Sequence, residues 1–333
     1  MRIDVHTHFQ CLDFIKQLEG RRNLPRSVLD GGTYVVQCAA GLNVPAFPKM
    51  IDIEKKLRDM EDMKIDVAVL SHGYPFGADV LGGRRADYWA QRINDQLARI
   101  IDRYPGKFVG FGSIGFGDSQ QSVAEVDRCI KTLGFKGFQV FSNLGNKALD
   151  ASEFMPVLKH IGMLGVPIHL HPGIPLNQVG LDSANLFLSL GFPYDSSLNT
   201  LRLIQSGLFD ETPDLKLIVA HVGGVIPYLW GRIGTYCTPS PLVPNAPRLA
   251  HPLDHYLRQL YVDTVCYNVE ALKCCYEVMG AEHLLYGTDH PFGRYEVAMD
   301  LVEQLDCPTT DRDLIHYGNA TRLLNLKHLA VGV

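Results

Sequence analysis

Residues 2–9 read RIDVHTHF, a short apolar run from Ile3 to His8 that ends on two histidines. The same construction returns along the chain. Pro167 to His171 (PIHLH) ends on His171, Leu217 to His221 (LIVAH) on His221, and Leu284 to Asp289 (LLYGTD) on Asp289. Four further runs have strand character: Asp66 to His72, Phe108 to Ile114, Gly137 to Ser142 and Leu260 to Cys266. Several are nearly continuous Val, Ile and Leu, the composition of parallel strands covered on both faces.

Between these runs lie amphipathic stretches. In Ile53 to Met63 the apolar positions Ile53, Leu57 and Met60 share one helical face. Ala86 to Tyr104, Val123 to Leu133, Phe154 to Leu164 and Leu198 to Phe209 follow the same period. Ser152 is placed to cap the helix at Phe154, and Pro105-Gly106 stops the helix before it. Eight strands alternating with helices specify an α/β fold, a (β/α)8 TIM barrel, and the 333 residues are expected to form one domain over 1–333. Arg21 to Lys49 breaks the rhythm. It reads as an insertion after the first strand, a lid or rim element. Thr238 to His251, with Pro239, Pro241, Pro244 and Pro247, reads as a second rim loop.

Composition narrows the function. Hydrophobic residues make up 46% of the chain and charged residues 20%, enough apolar mass for a large core. The formal net charge is -5 and no long basic run occurs, which argues against nucleic acid or an anionic membrane as partner. No apolar stretch approaches the roughly 18 residues of a membrane-spanning helix. Asp4, His6 and His8 interrupt any signal-like start. Eight scattered cysteines without a C-x-x-C pair fit reduced thiols and a cytoplasmic location.

In such a barrel the C-terminal strand ends face the active site. Five groups competent to bind metal or move protons fall at that end: His6, His8, His171, His221 and Asp289. Side chains two apart on a strand point the same way, so His6 and His8 form a pair able to grip one ion. His171 and Asp289 reach the same point from across the mouth. Three imidazoles and a carboxylate suit zinc, with manganese or another divalent transition metal as replacement. His169 points inward one layer deeper and reads as a core or supporting residue. His72 ends the second strand and is a candidate for the rim of the site, whereas His290 points away from Asp289. Gly110, Gly112 and Gly115 spell G-x-G-x-x-G but lie within a strand run, so they do not mark a dinucleotide site.

The motifs RIDVHTHF (2–9), HLHPG (169–173), AHVGG (220–224) and YGTDHPF (286–292) resemble the amidohydrolase superfamily, and within it the branch containing aminocarboxymuconate-semialdehyde decarboxylase. The similarity extends to GFKGFQVFSNLG (134–145) and SGLFDETPDLKLIVAHVGG (206–224). The resemblance implies one catalytic metal, usually zinc, held by His6, His8, His171 and Asp289, with His221 as the acid–base residue. It assigns Arg232, and from the insertion Lys49, to a substrate carboxylate. In relatives that arginine can serve a neighbouring subunit, which implies a homodimer. Two-metal hydrolases carry a carboxylated lysine at the end of the fourth strand. Here Lys136 precedes that strand, about 20 Å of extended chain below the mouth, and Phe141, Ser142 and Asn143 stand at its end. His169 and Phe76 depart from the pattern of the near relatives, so the substrate need not be theirs. The expected reaction is non-oxidative decarboxylation of a small unsaturated or aromatic carboxylic acid. The alternative is a hydrolase of a lactone, ester or amide, or a hydratase, using the same activated water.

Overall fold

The computed structural model describes residues 1–73, 75–181, 185–246 and 248–326. Eight parallel strands follow one another in sequence order around one sheet: Ile3–Phe9, Val67–His72, Phe108–Gly112, Gly137–Phe141, Ile168–His171, Leu217–Val219, Leu260–Asp263 and Leu284–Leu285. The eighth returns to the first through Val5 N to Tyr286 O (2.9 Å), His8 N to His290 O (3.1 Å) and Asp289 N to His6 O (2.7 Å). The result is a (β/α)8 barrel, as the alternation of the sequence requires.

Two apolar layers hold it. Inside, Ile3, Val5, Val67, Val69, Val109, Phe111 and Ile218 pack together, joined by Ala320 and Leu324 from the C-terminal end of the chain. Outside, alternate strand residues such as Ala68, Leu70, Val140 and Leu170 pack against the surrounding helices. The first strand carries one extra residue: Asp4 pairs with Ala68 and Thr7 with Leu70, three steps against two. Such a bulge shifts side-chain parity. Ile3 and Val5 therefore fill the lower interior, while His6 and His8 turn into the same interior above them.

Several elements differ from the reading of the sequence. The sixth strand ends at Val219 and the eighth at Leu285, short of His221 and Asp289. Both residues have left-handed backbone, φ 58°, which no strand can continue. The seventh ends at Asp263, three residues before Cys266. Ser152 does not cap its helix, which runs Met155–Met163 with Phe154 at the cap position. The helix expected over 198–209 is Phe192–Gln205 followed by a separate turn, Leu208–Glu211, with Gly207 in the left-handed region between them. The insertion is ordered as an antiparallel meander, Arg26–Asp30, Thr33–Ala39 and Leu42–Pro45. In the second rim loop a lone Ser240–Val243 bridge forms, and Pro247 lies outside the described residues. All eight cysteines are free. No helix among the described residues is long and apolar enough to cross a membrane.

Candidate metal centre

The strand ends bring the five expected groups together. His6 Nε2 stands 3.1 Å from His8 Nε2 and 3.3 Å from Asp289 Oδ1, and His8 Nε2 lies 3.0 Å from that oxygen. The ligand atoms of His6, His171, His221 and Asp289 all lie within 4.8 Å of one another. His6 and His8 are wholly buried, and the His221 side chain is 19% exposed. His221 is thus the open member of the group, with Nε2 3.6 Å from Asp289 Oδ2.

The other ring nitrogens explain why these point inward. His6 Nδ1 bonds to Asp263 Oδ2 (2.6 Å), His8 Nδ1 to Ser71 Oγ (3.3 Å) and His171 Nδ1 to the Pro172 carbonyl (3.0 Å). With each Nδ1 engaged, each Nε2 turns its lone pair to a common point, the arrangement in which imidazoles bind a metal ion. Burial holds His8 down at about 4 and His171 well below the ordinary value, so both stand neutral as ligands must. Burial also works against the charged form of His6, but Asp289 and Asp263 outweigh it and push it up to about 10. Burial would raise the Asp289 carboxyl; the neighbouring His6 and hydrogen bonds from histidines hold it well below the usual range instead. Two buried carboxylates therefore demand positive charge, and a proton on His6 and a divalent cation compete for the same lone pair. The donor set fits a divalent transition metal.

Backbone strain accompanies this geometry. His221 and Val222, with φ 58° and 51°, sit in a turn at Ala220–Gly223 directly after the sixth strand, and Asp289 shares that conformation. Each such residue costs about 1–2 kcal/mol, and strain of this kind gathers at functional sites. Aromatic groups close the surroundings. Phe292 lies 5.5 Å from the His8 ring and Phe47 of the insertion lies 5.5 Å from Phe292, so the insertion borders the site. Gly73 admits the close approach of Met50 and His8, since a Cβ there would fall 2.3 Å from Met50 Cε and 2.4 Å from His8 Cβ. At the end of the fourth strand the Phe141 ring meets His171 at 5.7 Å, while Ser142 and Asn143 are held by Asp195.

The remaining candidates are not members of this cluster. His72 is packed against the rings of Phe9 and Phe14, and its neighbour Ser71 takes the inward position. Lys49 pairs with Asp59 at 3.0 Å and reaches the Tyr295 hydroxyl at 3.3 Å. Arg232 is exposed on the helix Ile226–Tyr236, with its guanidinium over the Tyr236 ring. His290 turns outward, as expected: Nε2 bonds to Asp59 and Nδ1 to the buried Lys56. Lys56 also donates to Thr7 Oγ1 at 2.7 Å, and burial lowers it to about 7. Removing one partner of a buried charged network costs about 3–5 kcal/mol. Lys56→Met is expected to lower unfolding free energy by that much in a denaturant titration, and a loss under about 1 kcal/mol would show that the network carries little.

Residues 3–326 match the amidohydrolase family. The chain belongs to that family. As an amidohydrolase it is 30% identical over 290 residues to gamma-resorcylate decarboxylase of Polaromonas sp. strain JS666, covering 84% of this chain and 89% of the relative. It is 29% identical to 2-amino-3-carboxymuconate-6-semialdehyde decarboxylase of Dictyostelium discoideum, covering 83% and 77%. Among solved structures it is similar to a dihydroxybenzoic acid decarboxylase from Polaromonas sp. JS666 with bound manganese and 2-nitroresorcinol. The TM-score is 0.81 at 26% identity, with 98% of this chain and 97% of that chain covered.

Sequence reasoning missed Asp263 and Ser71. The signal for Asp263 was present: it ends an apolar strand at the same rim as the other five groups, within the run LYVDTVC (260–266).

Proposed function

We propose that this amidohydrolase is a metal-dependent carboxy-lyase that removes carbon dioxide, without oxidation, from a small aromatic or unsaturated carboxylic acid. The observation that carries the reading is the division within the cluster. His6, His8, His171 and Asp289 are buried and converge, whereas His221 is open to an incoming molecule. The decarboxylase names of the relatives give the direction of the chemistry.

His6, His8, His171 and Asp289 would hold one divalent ion, zinc or manganese. When bound, that ion supplies the positive charge that holds and polarises the acid's oxygen atoms. His221 lies at the open side and donates a proton to the carbon bearing the carboxylate. That carbon becomes tetrahedral, the bond to the carboxylate breaks, and its electron pair returns to the conjugated system as carbon dioxide leaves. The phenyl rings of Phe292 and Phe47 bring apolar surface beside His8. Arg232 is the resemblance's choice for the carboxylate clamp. Its exposure on its own chain is what service to a second copy in a homodimer requires. Lys49 and His72 remain lesser candidates for substrate contact, being engaged by Asp59 and by Phe9 and Phe14. We infer also that residues 1–333 form one domain and, from the eight free cysteines, that it acts in the cytoplasm.

The test is carbon dioxide release over a panel of hydroxybenzoates, conjugated dicarboxylates, lactones and esters, with the products identified. Carbon dioxide formed in a metal-dependent way from at least one acid is the expected result. Acid formed from a lactone or ester, with no carbon dioxide from any member, would replace this reading by hydrolysis.

A further inference from the structure

We propose that Asp263 is a positioning residue that fixes two histidines of the centre at once: the ring of His6 and the backbone turn that presents His221. The proposal rests on the metal-centre reading given above.

The Asp263 side chain is fully buried at the end of the seventh strand, between the two elements it would join. Its two oxygens are divided between them. Oδ2 accepts the hydrogen bond from His6 Nδ1 at 2.6 Å, and His169 Nε2 stands 3.9 Å from the same oxygen. Oδ1 accepts from Val222 N at 3.2 Å and from Val265 N at 3.0 Å. Val222 follows His221 directly, and both have left-handed backbone. A β-branched residue does not hold that conformation unaided, and here its amide is anchored to the carboxylate.

The chemistry of the arrangement is specific to a carboxylate. Only an acceptor at Oδ2 keeps the His6 proton on Nδ1, leaving the Nε2 lone pair for an ion. Only an acceptor at Oδ1 satisfies the two amides. An asparagine cannot do both. With its oxygen toward Val222 and Val265, its NH2 group faces His6 Nδ1. That favours the other tautomer, with the proton on Nε2, where it blocks coordination. His6, His169 and Asp263 also have ligand atoms within 4.8 Å of one another, so a second ion there is the competing explanation.

The experiment compares full-length wild type with Asp263→Asn by Mn2+ titration, followed by electron paramagnetic resonance of the free ion. It adds long-range proton–nitrogen spectra of 15N-histidine-labelled protein stripped of metal. The expected results are one Mn2+ per wild-type chain, binding about 10- to 100-fold weaker in Asp263→Asn, and a His6 Nδ1 proton that is present in wild type and lost in the variant. A purely structural role would leave the Nδ1 proton in place. Wild-type affinity in Asp263→Asn would overturn the proposal while the metal centre stands, as would two ions per chain with loss of the Nδ1 proton. If the variant fails to fold, the wild-type spectrum decides alone: a His6 with no proton on Nδ1 overturns the proposal. A wild type that binds no ion but keeps the His6 Nδ1 proton supports the positioning role and removes the metal reading instead.

Discussion

His221→Asn is expected to keep its metal and to lose turnover by about a hundredfold or more. That is the usual contribution of a positioned general acid. Asparagine retains a polar side chain of similar reach but cannot donate and recover a proton near neutral pH. The ion should stay because the buried donors, His6, His8, His171 and Asp289, are untouched. The measurement is metal content by elemental analysis beside kcat on whichever acid releases carbon dioxide. Wild-type turnover would remove His221 from the proton transfer. Loss of the ion would make His221 a ligand instead. The structure gives that outcome a physical basis, since its ligand atom lies within 4.8 Å of those of His6, His171 and Asp289.

His8→Ala is expected to lose most of the ion, and activity should fall with occupancy. His8 Nε2 is 3.1 Å from His6 Nε2 and 3.0 Å from Asp289 Oδ1, so it shares their focus. Supporting residues around a metal typically change affinity by about 10- to 100-fold, and deletion of a ligand should exceed that. Full retention in His8→Ala would sink its assignment as ligand and point to His221 in its place. The two variants therefore separate the roles of the two histidines, because each outcome for one constrains the other.

Much of this site was legible because its residues break a rule. Histidines and aspartate are uncommon at the ends of apolar strands, and five of those that occur here meet at one rim once the strands are read as parallel. For Lys49 and Arg232, which the family resemblance assigns, and for His72, residue type alone does not decide contact with a substrate. Each has the right chemistry, yet whether a side chain reaches a site depends on what else binds it, and Asp59 binds Lys49. His72 follows strand parity away from the mouth, and parity on a neighbouring strand is set by register. The insertion shows the same limit at larger scale. Gly and Pro marked it as irregular, whereas antiparallel pairing of Arg26–Asp30 with Thr33–Ala39 orders it into a meander beside the site.

The sequence by itself determined the alternation of strands and helices, the barrel that alternation requires, and the identity of the five groups at its mouth. These are local properties, carried by periodicity and by residue type. Only the tertiary structure decided the rest. The bulge between Asp4 and Thr7 aims His6 and His8 over Val5. The left-handed turns at His221 and Asp289 end their strands early. The reach of Asp263 from the seventh strand joins the first to the turn after the sixth. Each of these depends on pairing between residues far apart in the chain, and such pairing is fixed by closure of the whole barrel, not by the residues beside it.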